Sequence, residues 1–395
     1  MCGIGAILDL DFRRVRHMRP ALTGINELLA RRGPDGEGIW AHPDGHVGFA
    51  HRRLAIIGLE RGDQPMTDGN GNWITYNGEI YNYPELRREL GESSFATDSD
   101  TEVILRAYRR HGVGCLEHLR GMFAFALWDE ARSRLVVCRD RFGIKPMYYA
   151  ISGDTLVCAS EVKALLPFLP EIGTDRDALR DYLTFQFTLG GKTLFKGVHE
   201  LLPGHLLIAD ASGGVRTRRW WEIHYEPDVE ADEQHQLSRV RELVEDSVLH
   251  HLRADVPVGA YLSGGLDSSI VTALAGRSQT SELHAFCGRF DAGPEFDESR
   301  FARALAAEEG FTLHESTIGP SDFVDTIRDV IYHLDFPVAG PGAFPQYIVS
   351  RDAARHRKVV LGGQGADEVF GGYARYLLAY FEQCIKAAIE GTMHR

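Results

Sequence analysis

An apolar run, Val256-Pro257-Val258-Gly259-Ala260-Tyr261-Leu262, leads straight into Ser263-Gly264-Gly265-Leu266-Asp267-Ser268-Ser269, and Ile270 to Ala275 is apolar again. That order predicts a buried strand, a glycine-rich turn carrying hydroxyls, and a helix. Such a turn gathers free backbone N–H groups at the positive end of a helix macrodipole, which makes an anion site. Gly264 and Gly265 let the backbone approach a ligand closely. Ser263, Ser268 and Ser269 can donate to phosphate oxygens. Asp267 is the odd member. A carboxylate beside a phosphate repels it unless a cation lies between, so Asp267 points to Mg²⁺. A turn that only caps a helix is the plainer reading. Two glycines, three serines and an acid in seven residues favour a phosphate loop.

The chain around this loop alternates strands and helices. Strands are expected at 256–262, 283–287, 311–316 and 358–361, with helices at 268–276, 297–309, 321–333 and 345–356. This pattern predicts an open parallel α/β sheet, in which ligands sit at the carboxyl ends of strands. The strand Lys358 to Leu361 ends in a second glycine-rich loop, Gly362 to Tyr373, expected on the same sheet edge. Asp367 in it could hold a cation opposite Asp267, or cap a helix. Upstream, Glu226 to Gln236 is polar and acidic and reads as a linker. A long helix from Leu237 follows, with Val240, Leu243, Val244 and Val248 on one face.

The first half reads as strand-rich. Met1 to Leu8 looks like a strand that starts at the chain's first residues. Removal of Met1, which a small Cys side chain permits, would leave Cys2 with both a thiol and a free α-amine of pKa about 7.7–8.0. One residue then supplies nucleophile and base; a small buried Cys is the alternative. Arg53 lies within apolar sequence and needs an anionic partner, a structural acid or a ligand carboxylate. Trp73 to Tyr76 reads as a strand running into an Asn77-Gly78-Glu79 turn. That turn could aim the Asn77 amide and Gly78 N–H at an oxyanion, or be an ordinary hairpin turn. Asp100 is expected to cap the helix from Thr101, to bind a ligand ammonium, or both. Phe123 to Trp128 and Leu135 to Cys138 read as paired strands, and Arg139 to Tyr149 as a charged structural corner.

With 395 residues, 44% hydrophobic and 25% charged, the chain is expected to fold into two or three globular domains. Its net charge of −13 argues against nucleic acid or an anionic membrane as its partner. No signal peptide or membrane-spanning run is expected. Six scattered cysteines fit a reduced, cytoplasmic protein without a zinc site, and the 17 histidines show no ligand-like spacing.

Taken together, Met1-Cys2-Gly3-Ile4, Asn77-Gly78-Glu79 and Arg139 to Tyr149 resemble the class II glutamine amidotransferase domain. Ser263 to Ser269 resembles the pyrophosphate loop of ATP-dependent adenylating ligases. With Gly362 to Tyr373, the colinear whole resembles the glutamine-hydrolysing asparagine synthetase family. The resemblance implies an α+β N-terminal nucleophile αββα sandwich at 1–210, a connector at 211–236, and an α/β open parallel-sheet ATP-pyrophosphatase domain at 237–395. It implies that Cys2 attacks the glutamine amide to give a thioester and ammonia, with Asn77 and Gly78 as the oxyanion hole. Arg53 would hold the glutamine carboxylate, and Asn77, Glu79 and Asp100 the rest of its head group. Ammonia would pass through a tunnel between domains. ATP would contact Leu262, Ser263, Gly264, Gly265, Asp267, Ser268, Gly288, Gly362 and Gly363, with Mg²⁺ on Asp267 and Asp367. An acceptor carboxylate, aspartate in this family, becomes an acyl-adenylate that ammonia attacks, and a homodimer is left open.

Two departures qualify that expectation. Members making asparagine typically carry Glu where this chain has Gln364, in the region where the intermediate forms. A Gln cannot act as a general base, so a sugar-acid or metabolite carboxylate is the second expected acceptor. The family's synthetase domain also usually runs on past the final Gly-Gly-Tyr, so the sequence reads as incomplete. A truncated chain with only residual glutaminase or a binding role is the third reading.

Overall fold

In the strand that runs from Gly121 to Asp129, Ala124, Ala126 and Trp128 face one way and Phe123, Phe125 and Leu127 the other, and both sets are buried. A strand that is apolar on both faces needs cover on both sides, and the architecture supplies it. The computed structural model describes residues 1–91, 95–210, 214–228, 230, 232–291, 293, 297–337, 340 and 342–391. Contacts divide the chain into two units, Met1–Asp232 with Ile327–Pro341, and Glu233–Thr326 with Gly342–Arg395.

The first unit holds β1 (Gly3–Asp9), β2 (Gly36–Ala41), β3 (Val47–Arg53), β4 (Met66–Thr67), β5 (Trp73–Ile80), β6 (Gly121–Asp129), β7 (Arg134–Arg139), β8 (Tyr148–Ser152), β9 (Thr155–Ala159), β10 (Val198–Glu200), β11 (His205–Asp210) and β12 (Gly214–Arg219). Its helices are α1 (Met18–Leu28), α2 (Tyr83–Leu90), α3 (Asp100–His111), α4 (Cys115–His118) and α5 (Arg176–Phe185). The strands form two six-stranded antiparallel sheets, ordered β10-β8-β9-β1-β3-β2 and β12-β11-β7-β6-β5-β4.

Ile4, Ala6 and Leu8 of β1 meet Ala124, Ala126 and Trp128 of β6 in one cluster between the sheets. On the outer face of the first sheet, Ile7 and Ala50 pack on Leu22, Ile25 and Leu29 at α1. On the outer face of the second, Tyr76, Phe123 and Phe125 pack on Leu86, Val103, Ile104 and Tyr108 of α2 and α3. The result is the expected αββα sandwich. Each fully buried Leu, Ile or Phe in these clusters stabilises it by about 1.5–3 kcal/mol.

The Asn77-Gly78-Glu79 turn is not there. These residues lie inside β5, paired with Ala124, Phe123 and Met122 of β6. Gly78 serves close strand approach: a Cβ there would lie 2.2 Å from the Met122 carbonyl oxygen. Nor does Asp100 cap its helix. Ser99 does, its hydroxyl accepting from Thr101 N at 3.2 Å. The expected connector at 211–236 contributes β12, which pairs with β11.

The second unit holds α6 (Glu233–His251), β13 (Val258–Tyr261), α7 (Leu266–Ser278), β14 (His284–Phe290), α8 (Ser299–Glu309), β15 (Thr312–Ile318), α9 (Pro320–Leu334, its end in the first unit), α10 (Ala343–Ala353), β16 (Val359–Leu361), α11 (Ala366–Phe370) and α12 (Ala374–Glu390). Its sheet is four-stranded and parallel, ordered β15-β14-β13-β16, as expected. Phe286, Ile318, Ile348 and Val349 fill one side, and Leu262, Ala285, Cys287 and Ala302 the other. The stripe expected on α6 is only partly used: Val248 is buried, while Val240 and Leu243 are exposed. Among the described residues no helix is long and apolar enough to cross a membrane.

Candidate functional site

In the first unit one pocket, about 310 Å³ with its open mouth, is lined by Cys2, Arg53, Gly78, Glu79 and Asp100. The fold explains the meeting. β1 and β3 are neighbours, which sets Cys2 beside the end of β3. The Cys2 Sγ accepts from Leu54 N at 3.3 Å and faces Leu54 O at 3.6 Å. Burial pushes the Cys2 thiol up, so it rests protonated and needs a base. Burial lowers the Met1 α-amine to about 5, so that amine is neutral at pH 7.

Asp100 stitches α3 to β5, accepting from Tyr76 OH at 2.8 Å and Ile80 N at 3.0 Å. Burial still raises its carboxyl to about 6, against those hydrogen bonds. A buried carboxylate held back in this way favours a cationic ligand. Asn77 does not line the pocket, but it is buried next to Gly78 and its Nδ2 has no hydrogen-bond partner. An orphaned buried donor is costly unless a ligand accepts from it. Arg53 has found the structural acid that the sequence left open. It pairs with Asp63 at 3.1 Å and donates to Gly58 O at 2.7 Å and Leu59 O at 3.1 Å. It still lines the pocket, with its side chain 12% exposed.

Sequence reasoning missed three residues here. Arg32 donates from Nε to the Cys2 carbonyl at 2.9 Å and pairs with Glu161 at 3.0 Å. It lies in the charged stretch Arg31-Arg32-Gly33-Pro34-Asp35, where nothing local singles it out. Lys145 is buried and interacts electrostatically with Glu79, Cys2 and the chain's first amine. Gln64 clamps the Tyr76 backbone from both sides, at 2.7 and 3.2 Å. The rest of Arg139 to Tyr149 is the structural corner expected: Asp140 accepts from Phe123 N, Phe142 N, Ile144 N and Lys145 N.

In the second unit, β13 and β16 pair in parallel, so their carboxyl ends place the two glycine-rich loops side by side. A Cβ on Gly363 would lie 2.7 Å from Ser268 N and 3.0 Å from Asp267 Cβ. The first loop turns through Gly264 at φ +94, the left-handed region that favours glycine. Its hydroxyls engage one another, Ser263 Oγ to Ser268 Oγ at 2.9 Å, and Ser263 Oγ accepts from Gly265 N at 3.3 Å. Leu262 is buried and bonds Phe286 O at 2.8 Å. Gly288 sits one strand over, in β14, close to Ile318 and Val349.

Asp367 lies in α11, whose cap position is Gly365, and its carboxylate folds back toward Gly372. Among the described residues neither the Asp267 nor the Asp367 carboxylate has a hydrogen bond or ion pair. Hard oxygen donors free of protein cations fit Mg²⁺, which takes one or two carboxylates together with phosphates. Gln364 donates to Gln346 Oε1 at 3.3 Å. Gln346 in turn reaches Ser350, which bonds Tyr261 OH.

Comparison with known proteins agrees with this arrangement. Residues 1–221 match the glutamine amidotransferase domain and residues 239–393 the asparagine synthase domain. The chain is 38% identical to asparagine synthetase [glutamine-hydrolyzing] 1 of Bacillus subtilis, over 95% of this chain and 59% of the relative. It is 34% identical to the amidase chry2 of Gibberella zeae, over 94% and 59%. It is 33% identical to a Methanocaldococcus jannaschii protein provisionally named asparagine synthetase [glutamine-hydrolyzing] 2, over 96% and 77%. The chain thus spans about three fifths of the length of the first two relatives. An αββα sandwich of the glutamine amidotransferase type followed by a parallel sheet with two glycine-rich loops is the architecture of a two-domain amidotransferase, and the chain belongs to the glutamine-hydrolysing asparagine synthetase family.

Proposed function

We propose that the chain carries both halves of a glutamine- and ATP-dependent C–N ligase that amidates a carboxylic acid, aspartate first among them. The observation that carries this is the single pocket joining Cys2, Arg53, Gly78, Glu79 and Asp100. In it a neutral α-amine, freed on Cys2 by loss of Met1, takes the thiol proton, and Sγ attacks the glutamine amide carbon. Asn77 and Gly78 donate to the developing oxyanion. The C–N bond breaks with a proton passed to nitrogen, ammonia leaves, and water hydrolyses the thioester. Glu79 and Asp100 hold the substrate ammonium, and Arg53 its carboxylate.

In the second unit the Ser263–Ser269 loop holds the ATP phosphates, with the 362–363 backbone packed against it. Asp267 and Asp367 would hold Mg²⁺, which would neutralise charge on the phosphates. The acceptor carboxylate displaces pyrophosphate to give an acyl-adenylate, and ammonia displaces AMP to give the amide. These site roles rest on geometry and family membership together.

A second acceptor class is favoured by Gln364. Its neutral amide sits in a chain of neutral groups with Gln346, Ser350 and Tyr261, and among the described residues none of these hydrogen-bond partners is a carboxylate. ATP–pyrophosphate exchange across a set of carboxylic acids decides between them. Exchange elicited by aspartate supports asparagine formation; silence with aspartate and exchange with a sugar acid or other carboxylate replaces it.

The Asp100 carboxyl gives a pH prediction. Its protonated form cannot hold an ammonium. As pH falls below about 6 the KM for glutamine is therefore expected to rise, by up to about tenfold per unit, with kcat changing less. Initial rates in Asp100→Asn should show a high KM that no longer varies over that range. A wild-type KM flat down to pH 5 would remove Asp100 from ammonium binding.

A further inference from the structure

Three histidines that lie far apart in sequence meet at the amino-terminal part of the parallel sheet. His284 opens β14, His314 lies in β15, and His356 precedes β16. One ring nitrogen of each lies within 4.8 Å of the other two. His314 Nε2 and His284 Nδ1 are 3.1 Å apart, and this is the one side-chain hydrogen bond the three rings make among the described residues. The His314 and His356 rings lie tilted at 31° with centroids 4.2 Å apart, and Phe286 stacks on His314 at 5.1 Å. The glycine-rich loops leave from the opposite, carboxyl-terminal ends of the strands.

We propose that His284, His314 and His356 form a binding site for a divalent transition ion of the Zn²⁺ class. Zinc–imidazole bonds of about 2.0–2.1 Å in a tetrahedron put ligand nitrogens about 3.3 Å apart. The His314–His284 pair is already near that edge length. His356 is exposed, and side-chain rotation brings its nitrogen in. Three imidazoles suit Zn²⁺, Cu²⁺ or Ni²⁺ and not Mg²⁺, so the ion is of a different kind from the one placed at Asp267 and Asp367. Three protein ligands leave a fourth position for water.

The surroundings favour the ligating form of two of the rings. Burial, with the charge of Arg357, pushes the His284 pKa down, and both act the same way on His314. Neutral imidazole is the form that binds metal. Glu282, close to both rings, supplies opposite charge to Arg357. A bound ion would tie β14, β15 and the approach to β16 together and stabilise the sheet by mass action.

A second group, His42, Asp44 and His46, gathers within the same 4.8 Å limit. Both nitrogens of His42 are already engaged: Nδ1 accepts from Asp44 N at 3.2 Å, and Nε2 lies 3.4 Å from Glu130, while His46 Nε2 is buried without a hydrogen-bond partner among the described residues. The group therefore serves as the control.

The test is calorimetric titration of the untagged, chelator-treated full chain with Zn²⁺ alone, with metal analysis after gel filtration. The expected result is one ion per chain. Affinity should fall on the order of 100-fold or more in His314→Ala and in His356→Gln and stay unchanged in His42→Ala. His356 is exposed, so its replacement leaves the fold intact, which circular dichroism checks. No stoichiometric Zn²⁺ binding, binding that survives both substitutions, or binding lost in His42→Ala would each overturn the proposal.

Discussion

Cys2→Ala is expected to lower glutamine hydrolysis by on the order of 10⁴-fold or more, the scale seen when a nucleophile is removed. Amide formation from added ammonia should continue. The size follows from the site. Among the described residues lining the pocket with Gly78 and Glu79, Cys2 carries the only thiol. The fold should survive, because Sγ hydrogen-bonds only to the Leu54 backbone. Measuring glutamate release and ammonia-supported amidation on one preparation separates loss of the nucleophile from loss of the fold. Glutaminase activity that persists at wild-type level would sink the role given to Cys2. Intact mass measured alongside shows whether Met1 has been removed, on which the neutral α-amine depends.

The second large effect is expected at Gly363→Ala. A methyl there would lie 2.7 Å from Ser268 N and 2.9 Å from the Asp267 carbonyl carbon. These are backbone atoms at the start of α7, and they cannot move without moving the phosphate loop. A displacement near 1 Å at a reacting centre costs on the order of 100-fold. ATP–pyrophosphate exchange should fall by about that factor, while glutaminase activity in the other unit is retained. Exchange at the wild-type rate would show that the two loops do not act on one ligand.

Much of this was readable from residue order. Phe123-Ala124-Phe125-Ala126-Leu127-Trp128 is apolar at every position, which only a strand covered on both faces can use. The parallel sheet was readable from strands that alternate with helices and end in glycine-rich loops. Asn77-Gly78 misled because that dipeptide favours a two-residue turn. What holds it in β5 is a neighbour: Gly78 leaves room for the Met122 carbonyl on β6, and no local signal reports that. Asp100 likewise looked like a cap until Ser99 took that position and left the carboxylate to Tyr76 and Ile80. Arg32 and Lys145 were hidden for a related reason, since long side chains reach from charged segments to a nucleophile that is remote in sequence. The three-histidine group had no spacing to detect, because each member comes from a different element.

One consequence follows from β5 being continuous through Asn77, Gly78 and Glu79. In the proposed reaction, the groups that would greet the substrate amide belong to a strand laddered to β6 along its whole length. A loop can flex to follow its substrate, but a laddered strand cannot, so the glutamine must adjust to the protein. Accuracy of placement and mechanical integrity of the sheet then become a single property. Any event that unzips β5 from β6 would disperse the receiving groups together, and reactivity would fade in step with cooperative order.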